Sequence, residues 1–183
     1  MRSRVITIGV GSQGFHLVGE ALRRRLLLRS NVGCTTMDDR VTKLKTTEEC
    51  AVFAKNVTER GRPDLALEAR KRAVQLRAER FGATSDVERE CIEAVYAYEE
   101  VLSAKAGRRQ TASRTWPMIK RYGVIEAVER VVKRKTDALG YTALVEMGLE
   151  ELAFEAVVLR HSSAFSAEAV SQSKKRMDEH NLR

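Results

Sequence analysis

The sequence predicts an all-α fold: a single multi-helix orthogonal bundle built from αα-hairpins, preceded by a loosely ordered N-terminal extension. Three observations predict it. Apolar residues recur at helical spacing along most of the chain after residue 40. Ser, Thr or Pro starts alternate with Gly stops. The chain holds only two Pro and 5% aromatic residues, too few for an all-β fold with many turns. Its 183 residues suit one domain with an extension. We place a weakly ordered basic extension at 1–40 and the helical domain at 41–183.

Residues 1–36 carry six Arg against the single acid Glu20. A strand pattern there leads into Gly9-x-Gly11-x-x-Gly14, then a helical pattern, with Asp38 roughly 20 residues on as a formal ribose ligand. Such a strand needs parallel neighbours, and no further βαβ unit follows. No cofactor is therefore expected. The Arg-rich, acid-poor composition also suits a transit peptide, or an appended segment ending before Met37.

The first helix is expected over 47–60. Thr46 and Glu49 form a capping box, Cys50, Phe53, Ala54 and Val57 form its stripe, and Gly61 ends it. A second runs from Pro63 and Asp64 to Gly82, burying Ala66, Ala69, Ala73 and Leu76 beside Val74 and Phe81. Arg70, Lys71, Arg72, Arg77 and Arg80 are expected to face outward. Small residues at Ala54, Ala66 and Ala73, with Val57, allow close approach of the two helices. On these residues the pair resembles one tetratricopeptide-type hairpin. The early Trp and Leu-Gly of such a repeat are missing, and nothing similar recurs about 34 residues later. The resemblance implies a surface for protein partners.

A third helix opens at Ser85 and Glu88 and runs to Ala106, striped by Cys91, Ala94, Val95, Tyr98, Val101 and Leu102. Glu99 and Glu100 lie off that stripe and read as a solvated face. A short helix begins between Ser113 and Trp116, with Pro117 in its first turn, and stops at Gly123. The next spans 124–135. A short helix at 140–147 and an almost wholly apolar one at 149–160, the expected centre of the core, follow. Ser166 caps the last, which carries Val170, Ser173 and Met177.

The net charge of +8 is unevenly spread. Residues 105–135 hold ten Lys or Arg against Glu126 and Glu129, and they include the only Trp. Concentrated positive charge on a mildly acidic body suggests a polyanion partner; the alternative is a solvated basic face. Arg108, Arg109, Arg114, Lys120 and Arg121 are the expected phosphate ligands, with the hydroxyls of Ser113 and Thr115 and free first-turn amides beside them. Lys133, Arg134 and Lys135 would extend the patch, or simply complement the end of their helix. Trp116 could stack on a base or anchor its helix in the core.

Two helix-Gly-helix pairs, at 115–135 and 141–161, invite comparison with a helix-turn-helix. Glu129 interrupts the apolar spacing of the first, and Glu150, Glu151 and Glu155 would repel phosphate from the second. No catalytic set is legible. Asp64, Glu68 and Lys71 are spaced unlike a nuclease site, and His161 reads as a helix-end cation. Cys34, Cys50 and Cys91 and the three His show no metal-site spacing, and the unframed cysteines suggest a reducing compartment, hence the cytoplasm. No apolar run reaches the ~20 residues of a membrane span. The expectation is a non-catalytic nucleic-acid-binding protein, DNA being the favoured polymer. The alternative is a helical protein-interaction adaptor.

Overall fold

A computed structural model describes residues 37–134 and 139–182. Gly9, Gly11 and Gly14, and most of the expected extension, lie outside them. Nine α-helices and no strand are found among the described residues. In order they are α1 (Asp39–Thr42), α2 (Thr47–Glu59), α3 (Pro63–Phe81), α4 (Asp86–Ala106), α5 (Thr115–Tyr122), α6 (Val124–Val132), α7 (Leu139–Glu146), α8 (Phe154–Arg160) and α9 (Ala167–Asn181).

The local starts act as side-chain chemistry dictates. Thr46 Oγ1 accepts from the Glu49 amide while the Glu49 carboxylate accepts from the Thr46 amide, closing the capping box of α2. Ser85 Oγ accepts from the Glu88 amide and Ser166 Oγ from the Ala169 amide at the starts of α4 and α9, without a reciprocal bond; the Glu88 carboxylate accepts from Thr84 instead. Asp38 caps the short α1, and its own amide donates to Glu68 across to α3.

Helix α4 is the axis of the domain. It packs against α3, α6, α7 and α8. Its two flanks feed different apolar clusters. Cys91, Ile92 and Val95 meet Ile119, Val128 and Val157, whereas Ala97 and Val101 meet Val74, Tyr141 and Leu149. A third cluster, built from Ala54, Val57, Leu65, Ala66 and Ala69, locks α2 onto α3.

The expected helix at 149–160 is broken. A 3₁₀ turn at Glu150–Leu152 is followed by extended Ala153, φ −72° and ψ 152°, and only then by α8. The reason lies in the burial. Leu149, Leu152 and Ala153 join the cluster around Tyr141, while Val157 and Val158 join the one around Ile92. The turn at Ala153 lets one segment serve both, so the centre of the core falls on α4 instead. Phe81, expected inside, is 42% exposed and lays its ring near Trp116.

Candidate nucleic-acid interface

Helix α4 ends at Gly107, whose φ of 64° reverses the chain into the basic loop. Two polar side chains of α4 then hold that loop down. Ser103 Oγ accepts from the Gln110 amide at 2.9 Å. Glu99 Oε1 accepts from the Ala112 amide at 2.9 Å and from Trp116 Nε1 at 2.6 Å. Glu99 Oε2 takes a third donor, Arg77 Nη2, at 2.6 Å.

Glu99 is 2% exposed, which corrects the expectation of a solvated Glu99–Glu100 face. A buried carboxylate is tolerable when its oxygens are filled by charge-assisted and amide donors. Arg77, expected outward, turns in to supply one of them. Its other nitrogen donates to Glu100 at 2.8 Å, and its guanidinium lies 4.2 Å from the Tyr96 ring centre. Burial pushes the Tyr96 phenol above its ordinary value, against the opposing pull of Arg77.

Trp116 is half-buried, its ring 5.3 Å from Tyr96 and 5.7 Å from Phe81. Of the two roles the sequence left to Trp116, anchoring is the one these contacts describe. The first-turn amides of α5 are also partly spent. The Ala112 carbonyl accepts from Thr115 N at 2.9 Å and Trp116 N at 3.2 Å, so they are not the free anion donors expected.

The expected cations divide into two sets. Those flanking the loop are paired: Lys105 with Glu146, Arg130 with Glu126, Lys133 with Glu129. Lys133 also lies 3.7 Å from Glu168, so its ammonium has two carboxylate neighbours. Arg108, Arg109, Arg114, Lys120 and Arg121 are exposed and have no carboxylate partner among the described residues. Arg121 rests on the Tyr122 ring, and Arg134 is exposed with one nitrogen on Met118 Sδ. Lys135 lies outside the described residues.

The loop straddles two concavities. Arg109 opens onto a groove of about 1000 Å³ between α2, α3 and the end of α4. Ser113, Arg114 and Thr115 line a separate cavity of about 440 Å³, with Arg134 on its wall. Lys120 and Arg121 line neither.

The groove also carries Lys55, Arg70 and Arg80, absent from the expected interface. Arg70, Arg77 and Arg80 are seven and three residues apart, so they share a helix face. That signal was in the sequence. Lys55 comes from α2, and only the packing of α2 on α3 brings it there.

The remaining sequence candidates disperse. Asp38 is committed to Arg40, Asp64 to Arg62, Lys71 to Glu151, and Glu68 to the Asp38 amide. His161 Nε2 lies 3.1 Å from Glu90 Oε1. Glu129, out of place in a helix-turn-helix, accepts from the Ser166 amide at 2.6 Å and so ties α6 to the start of α9. Glu155 is buried against Arg176. Among the described residues no cluster of His, Cys, Asp or Glu could hold a metal ion, and no helix is long and apolar enough to cross a membrane. No family model, curated protein or solved structure matches this chain.

Proposed function

We propose that the chain binds nucleic acid without catalysis, holding the phosphate backbone along the groove between α2, α3 and the basic loop. One observation supports this reading above the others. Arg109 shares the groove with Lys55, Arg70 and Arg80, and none of the four has a carboxylate partner among the described residues. Arg77, between them, is spent on Glu99 and Glu100. The lining therefore has five cations against Glu48, Glu59 and Glu100.

Such a lining attracts a polyanion and reads no base edge, so the contact is to phosphates and tolerant of sequence. Trp116, tied to Glu99, adds no stacking platform here. Arg108 precedes Arg109 in the loop and is exposed, though it lines neither concavity.

Fluorescence anisotropy with a labelled DNA strand tests the reading. Lys55→Gln, Arg70→Gln, Arg80→Gln and Arg109→Gln together should weaken binding by about a hundredfold at low salt. Lys174→Gln with Lys175→Gln, on α9, should change it little. Equal loss in both variants, or no loss in the first, contradicts the proposal. A protein complex that survives neutralisation of the groove, with no DNA bound, would favour the adaptor reading instead.

A further inference from the structure

The second concavity differs from the groove in shape and lining. It lies among α4, α5, α6, α7, α8 and α9, with Arg114 from the loop on its rim. Its volume of about 440 Å³ falls in the ordinary range for small-ligand sites. Tyr98, Leu102, Met118, Leu144 and Phe154 give it an apolar surface.

The lining includes three Arg residues, Arg114, Arg134 and Arg176, and one acidic residue, Glu155. Arg176 and Glu155 are committed to each other at 3.0 Å, with side chains 9% and 7% exposed. Arg176 also donates to the Arg134 carbonyl. The wall is thus built around one internal ion pair. Arg114 and Arg134 have no carboxylate partner among the described residues, so the lining is left with two positive charges.

A neutral apolar ligand would cover the surface and leave those guanidinium groups without counter-charge. A bare inorganic ion would satisfy the charge and leave the apolar surface wet. Both demands are met by one molecule with an anionic head and a flat apolar body. We propose that this cavity binds a small organic anion of that class, its head held by Arg114 and Arg134 and its body laid against Tyr98 and Phe154. Ser113 and Thr115, also on the lining, supply hydroxyls for the remaining oxygens of the head. The site is separate from the groove, because the two linings share no residue: Arg109 lines the groove and Arg114 the cavity.

Isothermal titration of the full chain with 1-naphthyl phosphate and, separately, inorganic phosphate tests the inference. Naphthyl phosphate should bind one to one and about tenfold tighter than inorganic phosphate. Arg114→Gln and Arg134→Gln, both at exposed positions, should each weaken it by about tenfold. Arg109→Gln should leave it unchanged. Absence of binding at millimolar ligand, equal affinity for inorganic phosphate, or indifference to both Arg114→Gln and Arg134→Gln overturns the proposal. A chain that takes naphthyl phosphate but no DNA keeps this site and removes the nucleic-acid reading; the reverse result removes this site alone.

Discussion

Trp116 Nε1 donates to Glu99 Oε1 at 2.6 Å, joining the only Trp of the chain to a carboxylate that is 2% exposed. The same carboxylate holds the Ala112 amide and Arg77. One side chain of α4 therefore sets the path of the basic loop and the position of α5. It also takes up one nitrogen of Arg77, so that this groove-lining guanidinium is already paired.

Glu99→Ala leaves Arg77 and two N–H donors without their shared acceptor, and should destabilise the fold by about 3–5 kcal/mol. Trp116→Phe removes only one donor and should cost less, about 1–2 kcal/mol. Urea unfolding followed by far-ultraviolet circular dichroism measures both. A loss for Glu99→Ala no larger than for Trp116→Phe would show that Glu99 does not hold the loop.

Much of the fold was legible because its signals are local. Thr46, Ser85 and Ser166 cap helices, and Gly82, Gly107 and Gly123 end them, by contacts or torsions within a few residues. Glu99 was not legible. Its donors come from 22, 13 and 17 residues away, and in isolation a Glu-Glu pair on a helix reads as solvated. The break at Ala153 was hidden for a related reason: Leu149 to Leu159 looks uniformly apolar until two separate clusters claim its two halves. For the site, the sequence located the basic loop but not its division between groove and cavity, since Lys55 and Arg134 reach those places only by tertiary packing.

The two glycines bounding the loop and its helix should differ under substitution. Gly123 has φ 81° and ψ 170°, a region almost closed to other residues, and a Cβ there would meet nothing within 4 Å. Gly123→Ala should cost about 1–3 kcal/mol through the backbone alone. Gly107 sits at φ 64° and ψ 9°, nearer the left-handed region, so Gly107→Ala should cost about 1 kcal/mol. Thermal unfolding of the two variants ranks them, and the opposite order would contradict the backbone argument.

Cys50 and Cys91 should be inert in the native protein. Both are buried, and burial pushes the Cys91 thiol up to about 12 and raises the Cys50 thiol too. At neutral pH neither offers thiolate. In a Cys34→Ser background, Ellman's reagent should react only as fast as the protein unfolds. A rapid native-state thiol would contradict the burial of one of them.

Glu129 links acid stability to the α6–α9 contact. The Lys133 ammonium lowers its carboxyl below the ordinary value of 4.5, burial opposes this, and the Ser166 amide lowers it further. A lowered native value means the unfolded chain binds the proton more readily. The stabilisation is therefore complete above the ordinary value and is lost as pH falls through the lowered one. Glu129→Gln should flatten that part of the stability–pH curve relative to wild type. An unchanged slope between pH values of about 5 and 3 would show that Glu129 contributes no linkage.

The salt dependence of DNA affinity tests the central reading most directly, because it counts phosphate contacts. If Lys55, Arg70, Arg80, Arg108 and Arg109 each meet a phosphate of a single strand, log Kobs should fall against log salt with a slope of about −3.5. Neutralising Arg108 and Arg109 should bring that slope to about −2. A slope near zero, or one that the substitutions leave unchanged, would contradict the account.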